Sequence, residues 1–224
     1  MSIHTGTRPP VSAALIARFN GLETSTIGNV LDDLGLGGII LNIKPVGAGM
    51  SFAGAALTVK EVTGAQHTYR PEEFGLGAVV DGIQPLDVVV IDNGGQQVST
   101  WGGVASEAAA RNGAAGLLVD GGVRDVDEIM ALGFAAFSRH VVPLSAKTRV
   151  KVIEINTVVK IDGVAIAPGD IIVGDSTGVV RVPLARAEEV AARAWELAEQ
   201  DSQAIKEIRA GLSFTKALKK FSKL

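Results

Sequence analysis

The sequence predicts an α/β protein built around a central parallel βαβαβ unit with helices at both ends, and three observations carry that reading. Apolar runs at residues 88–91, 116–119 and 134–137 have the length and composition of buried strands. The segments between them, residues 104–111 and 126–132, repeat apolar residues at helical spacing. Two crossovers in succession imply parallel strands with right-handed connections, so the loops after each strand's carboxyl end collect on one edge of the sheet, where open α/β sheets bind ligands. Those loops are Asp92-Asn93-Gly94-Gly95 and Asp120-Gly121-Gly122, the second leading to Arg124 and Asp125.

The 224 residues read as one domain, with N-terminal helices over 1–36, a core over 37–183 and a C-terminal helix with a basic tail over 184–224. The apolar fraction of 47% rests on Ala, Val, Ile and Leu, because aromatics are only 4%, so the core must pack small side chains closely. A net charge of -3 argues against nucleic acid as a partner. Cysteine is absent, which excludes disulfides, thiolate nucleophiles and zinc-thiolate sites. No apolar run approaches the roughly 20 residues of a spanning helix and no leader pattern opens the chain, so the expectation is a cytoplasmic protein without a membrane partner.

From the N-terminus, residues 11–19 and then a segment ending at Gly35 read as helices, the second with Thr24 or Ser25 as its cap. Asp32 and Asp33 read as its solvated face. Residues 39–63 change to a glycine-bent β pattern with one long alternating strand over 56–62. His67 lies in a loop without a second histidine nearby, and residues 72–83 read as a helix interrupted by Gly75 and Gly77. Pro85-Leu86-Asp87 and Pro168-Gly169-Asp170 share a spacing, Asp87, Asp92 and Gly95 matching Asp170, Asp175 and Gly178, which is a turn-into-strand signature used twice. Between residues 139 and 151, Arg139, His140, Lys147, Arg149 and Lys151 read as a protected edge strand or a patch for an anion. The last long helix starts near Leu184 and ends at Gly211, and the basic amphipathic tail over 216–223 reads as a solvated helical end.

Taken alone, Asp125 and Glu128 form a capping box at the start of a helix. Position at the sheet edge, the freedom of Gly121-Gly122 and the planar fork of Arg124 point beyond that. Opposite them, Ser99-Thr100-Trp101-Gly102-Gly103 runs into a helix whose free amides suit an anion. One or two carboxylates, an arginine and a ring of amides suit a hard divalent cation and a small 2-oxo acid. No glycine-rich nucleotide loop follows the first strand, which argues against a methyltransferase.

The run from Trp101 to Arg139, with Asp120-Gly121-Gly122-Val123-Arg124-Asp125-Val126-Asp127-Glu128 at its centre, and the later Pro168-Gly169-Asp170 with Asp175 and Gly178, resembles the class II pyruvate aldolases typified by 4-hydroxy-4-methyl-2-oxoglutarate aldolase. The same family contains the regulator of ribonuclease activity A, and its members once carried the name demethylmenaquinone methyltransferase. The resemblance covers about residues 24–211. It implies an α-β-β-α sandwich of swivelling-domain type, trimers or hexamers with an interfacial site, and Mg2+ or Mn2+ as cofactor. It implies Asp125 as direct metal ligand, Glu128 as a ligand through the metal's water shell, Arg124 on the pyruvate and its enolate, and Trp101, Gly102, Gly103 and Val104 around the substrate carboxylate. The implied activity is retro-aldol cleavage to pyruvate together with oxaloacetate decarboxylation; the other branch implies a non-catalytic protein binding a ribonuclease assembly. One position departs. The family acid that lies twenty-one residues before the arginine is Gly103 here, and Glu107, one helical turn on, is the candidate replacement. A second family acid, from a neighbouring subunit, falls at Glu199 or Asp201.

Overall fold

The computed structural model describes residues 3–221; the last residues of the basic tail, Ser222 and Lys223 among them, lie outside the described residues. In chain order the elements are β1 (His4–Thr5), α1 (Ala13–Ala17), α2 (Thr24–Asp33), β2 (Ile39–Ile40), β3 (Lys44–Pro45), β4 (Phe52–Thr63), α3 (Leu76–Asp81), β5 (Asp87–Asp92), β6 (Ser99–Trp101), α4 (Gly103–Arg111), β7 (Gly116–Val123), α5 (Val126–Leu132), β8 (Ala136–Val141), β9 (Val150–Ile155), β10 (Val159–Ile161), β11 (Val164–Ile166), β12 (Ile171–Gly174), β13 (Val179–Val182), α6 (Ala187–Arg209) and α7 (Phe214–Lys220). Short 3-10 turns cover Pro71–Glu73 and Leu184–Arg186.

The central unit is parallel as its composition requires. β5 pairs in parallel with β4 and β7, and β7 with β8. β4 is long enough to serve two halves: Phe52 to Ala55 run antiparallel to β12, while Ala55 to Lys60 run parallel to β5. Beyond β12 the sheet continues through β13 to β2, and β3 closes the other edge against β8. β10 and β11 form a separate hairpin.

Period-two alternation sorts the strands' side chains into the spaces between layers. Leu57, Val59, Val89, Ile91, Leu117 and Val119 face a core shared with α3, α4 and α5. Their neighbours Ala56, Val88, Val90 and Leu118 turn the other way, to meet Ile161, Ile166, Ile172 and Val179. Ile171, Val173, Val180 and Val182 then face Ile27, Leu31, Val190 and Ala194 of α2 and α6. The order is helix, one half of the large sheet, its other half with the β10–β11 hairpin, and helix, the α-β-β-α sandwich that the resemblance implies. Phe52 supplies bulk where small residues leave room. Its ring stands edge-on to Phe137 with centroids 4.8 Å apart, and a Cβ on Gly116 would come within 2.6 Å of it.

Several local expectations change. The predicted strand over 134–137 begins at Ala136, because Gly133 closes α5 in the left-handed region (φ 72°) and Phe134 packs beneath the helices. The helix expected over 72–83 splits into a 3-10 turn and α3 at Gly75, whose φ of 80° breaks the helical path. Gly121 and Gly122 belong to β7, not to a loop, because β6 docks alongside, Ser99 opposite Gly122. Gly122 admits that docking: a Cβ there would sit 2.7 Å from Val98 O. The paired turns hold, since Asp87 accepts from Gln84 N at 2.7 Å and Asp170 from Ala167 N at 3.0 Å. At the C-terminus α7 folds back, with Ala217 buried and Lys220 paired to Glu207.

The cap of α2 comes from far away in the chain. Glu23 holds the N-cap position without a side-chain bond, and Asp175 accepts both Thr24 N and Thr24 Oγ1 at 2.8 Å, so neither Thr24 nor Ser25 is the cap. Burial alone would raise the Asp175 carboxyl, but bonds from Thr24, Thr177 and Gly178 hold it below its ordinary value. We expect Asp175→Ala to cost about 1–2 kcal/mol in urea unfolding. A depressed carboxyl stabilises the fold above its unfolded value of 3.8 and stops doing so as pH falls through the lower folded value, so the gap between the two proteins should narrow in acid.

Candidate functional site

The carboxyl end of β7 and the amino end of α4 are stitched together. Arg124 N donates to Trp101 O at 3.0 Å, and Gly103 N donates to Asp125 Oδ2 at 3.2 Å. Trp101 anchors the second turn from within the core, its ring buried and its Nε1 donating to Ser106 Oγ at 2.8 Å. Above this seam opens a cleft of about 610 Å³, lined among others by Thr100, Trp101, Gly102, Val104, Arg124 and Asp125, with Phe74 and Gly75 across from them.

Asp125 stands at the N-cap of α5 and does not cap it. Its backbone lies in the left-handed region (φ 56°, ψ 41°), and its carboxylate makes no bond to the helix's first turn. The capping box expected of Asp125 and Glu128 is therefore not formed. A non-glycine residue held in that region costs energy, and such strain persists where the surroundings impose it. Here the carboxylate is turned toward Gly103 N, with Arg124 Nε 3.4 Å away. Both side chains remain substantially exposed, 46% for Arg124 and 37% for Asp125, so each keeps unused bonding capacity toward the cleft.

A side chain at Gly102 or Gly103 would push on the motif's carboxylates. A Cβ on Gly102 would fall 2.5 Å from Asp125 Oδ2 and 3.1 Å from Arg124 Cγ. A Cβ on Gly103 would land on Glu128 Oε2. The carboxylates of Asp125 and Glu128 therefore converge on the start of α4, whose Gly102 N-cap provides no side-chain cap for the amides that follow. Val104, at the mouth, is 86% exposed.

Other predicted residues lie elsewhere. Glu107 is exposed on α4 and does not line the cleft. Glu199 and Asp201 sit on α6, Glu199 accepting from Gln203. Lys147 is exposed, and His140 Nε2 lies 3.0 Å from Gly95 O. Arg139 is tied up in structure: its guanidinium reaches Asp120 at 2.5 Å and Asp162 at 2.7 Å, fixing the β10–β11 hairpin to the sheet edge. Asp120 thus faces away from the cleft, although it leads the same motif.

Glu61 is the residue that sequence reasoning passed over. It follows Leu57 and Val59 on the cleft-side face of β4 and is buried, with no hydrogen-bond partner for either carboxyl oxygen. Burial pushes its carboxyl up to about 8; the Thr100 hydroxyl opposes that shift and the charge of Asp92 adds to it. The available signal was a lone acid in the apolar register of a strand.

Among the described residues no three His, Cys, Asp or Glu side chains cluster as a metal cage. The donors at the cleft are two carboxylates without nitrogen or sulfur partners, a set that fits a hard divalent cation holding most of its waters. Comparison with known proteins places this geometry. The family model described as RraA-like, Aldolase/RraA, matches residues 25–181. Protein DlpA of Legionella pneumophila is 33% identical over 183 residues, 79% of this chain, and this chain spans only 28% of that protein's length. A protein of Halalkalibacterium halodurans named "Putative 4-hydroxy-4-methyl-2-oxoglutarate aldolase" is 32% identical over 80% of this chain and 81% of its own. The crystal structure of an uncharacterized protein from Pseudomonas syringae superposes with a TM-score of 0.84 at 28% identity, covering 93% of this chain and 98% of the other. With the matched segment holding both glycines, Arg124, Asp125 and Glu128, the chain belongs to the Aldolase/RraA family of RraA-like proteins.

Proposed function

We propose that the cleft is the site of a divalent-cation-dependent lyase that cleaves a 4-hydroxy-2-oxo acid to pyruvate through an enolate, and that it also decarboxylates oxaloacetate. The observation that carries this reading is Asp125: a carboxylate at a helix start, on a left-handed backbone, uncapping and turned into the cleft beside Arg124. A residue that only capped α5 would need neither the strain nor the orientation.

In this reading Asp125 and Glu128 would hold Mg2+ or Mn2+, and the ion would supply positive charge that favours an enolate. Arg124 presents its guanidinium fork to the substrate's 2-oxo acid group, where two parallel bonds fix orientation as well as charge. Gly103 N is already bonded to Asp125, so the next first-turn amide of α4, that of Val104, receives the carboxylate, as helix starts do. Trp101 keeps that helix start in place from below and shields the floor from water. The acid that meets position 103 is Glu128, not Glu107.

Self-association belongs to the proposal. Val104 and Val141, two exposed apolar residues, stand beside Arg124 and Asp125 at the rim, and a second subunit, in a trimer or hexamer, would cover them and complete the site.

The deciding measurement is pyruvate release from oxaloacetate and from 4-hydroxy-4-methyl-2-oxoglutarate, with Mg2+ or Mn2+ and again with excess chelator. Chelator-sensitive release from both is expected; silence on both would sink the lyase reading and leave the binding-protein branch of the family. Asp125→Ala should abolish the metal-dependent rate while the fold persists with a modestly lower melting temperature, since it removes the Gly103 N bond and puts alanine on a left-handed backbone that Asp tolerates better. Arg124→Lys should lower kcat/KM by about 10- to 100-fold, a loss of roughly 1.4–2.7 kcal/mol in transition-state binding. Gly103→Ala should displace the Glu128 carboxylate, and weaker binding of Mn2+, followed by its electron paramagnetic resonance signal, would report it without any turnover.

A further inference from the structure

Behind Thr100 in the cleft lining lies a group of buried polar side chains that none of these roles uses. The register that pairs Leu57 with Val89 and Val59 with Ile91 ends at Lys60 opposite Asp92, Glu61 and Asn93 follow on their chains, and Asn93 lies against Gly121. Gly121 leaves the space they need: a Cβ there would be 3.0 Å from Asn93 Cβ. Thr100 lines the cleft, and its hydroxyl lies near Glu61. Glu61, Asn93 and Thr100 are each only 2% exposed. Asn93 Nδ2 lacks a hydrogen-bond partner within the protein, and the Glu61 oxygens and Thr100 Oγ1 complete none at rest although the Thr100 hydroxyl lies near enough to Glu61 to oppose its shift; Asn93 Oδ1 is fixed by Thr63 Oγ1 at 2.6 Å. Several orphaned polar atoms side by side are rare in a folded core and mark a function or a bound group.

We propose that Glu61 and Thr100 form a proton relay opening into the cleft, in which Glu61 stores the proton that the enolate carbon receives and Thr100 hands it across. The inference rests on the enolate reading of the cleft. When oxaloacetate reacts, the bond from C3 to the leaving carboxylate breaks, its electron pair becomes the C2–C3 double bond, and carbon dioxide departs. C3 then takes the Thr100 hydroxyl proton as Thr100 takes the Glu61 proton. Pyruvate gains one C–H bond, Thr100 is restored, Glu61 is left as a carboxylate, and a solvent proton resets it. In retro-aldol cleavage the proton lost from the substrate hydroxyl balances the one gained at C3.

The surroundings suit a store of protons at neutral pH. β5 contributes Asp92, whose charge disfavours a second negative charge and whose own partner is Lys60 at 2.8 Å; β6 contributes the uncharged Thr100, and β9 sets the apolar Val152 opposite Glu61. Glu61 therefore stays protonated until about pH 8. Glu61 acts only through Thr100, so the test needs readouts that a purely structural residue would not move.

We would measure kcat for oxaloacetate decarboxylation across pH, and deuterium entry into the pyruvate methyl group in heavy water, for the native protein, Glu61→Gln and Thr100→Val. The native kcat should fall as pH rises past about 8. Glu61→Gln should lose on the order of 10²-fold in kcat and in exchange at similar KM, and lose that alkaline limb. Thr100→Val, which leaves Glu61 in place, should lose a comparable factor and decides the matter should Glu61→Gln fail to fold. A raised carboxyl makes the native fold weaken as pH climbs from its unfolded value of 4.5 toward about 8, so the native melting temperature should drop over that window, while that of Glu61→Gln should not. An active native protein whose rate and alkaline limb survive in either folded variant overturns the relay alone. A native protein with neither turnover nor exchange overturns the enolate reading, and the relay with it.

Discussion

Two reciprocal hydrogen bonds, Arg124 N to Trp101 O and Gly103 N to Asp125 Oδ2, hold the cleft together. They join two strand-to-helix turns that are more than twenty residues apart in sequence, and they work only because β6 lies against the last residues of β7. That contact in turn needs Gly122, where any side chain would strike Val98 O. A single backbone seam thus sets the distance between an arginine fork, two carboxylates and a helix start. Precision at that seam matters because misplacing a positioning group by an ångström costs a large share of the rate it provides.

The rest of the molecule makes the seam rigid. Trp101 is the largest fully buried side chain and closes the bottom of the cleft, stacking beside Phe134 with centroids 6.5 Å apart. Beneath it the middles of β5 and β7, residues 88–91 and 117–119, are wholly Val, Ile and Leu, the composition expected of strands covered on both faces. Such a core has little freedom to relax, and strain at Asp125 can persist because the surrounding packing fixes both ends of the turn.

Much of this was legible in the sequence. The alternation of apolar runs with helical spacing placed β5, α4, β7 and α5 within a residue or a few, because both periods were long enough to be read without tertiary information. The Arg124-Asp125 pair stood out for its position after a strand and before a helix. What the chain could not disclose were contacts between distant residues. Asp175 as the cap of α2, β6 as a strand and the direction of the Asp125 carboxylate all depend on partners brought in by the fold. Glu61 escaped notice because one acid in an alternating strand looks like a solvent-facing position until the register shows which face is covered. Glu107 drew attention through helical spacing alone, and spacing does not say which side of a helix faces the cleft.

The crowding at Gly103 has a consequence for how this chain can change over time. A carboxylate attached at position 103 and the Glu128 carboxylate claim the same volume. The two are alternative ways of bringing negative charge to the start of α4, and both fit only if the Glu128 side chain turns aside. An acid introduced at 103 in this chain would therefore turn the exposed Glu128 side chain aside, so gaining the one carboxylate at this spot displaces the other.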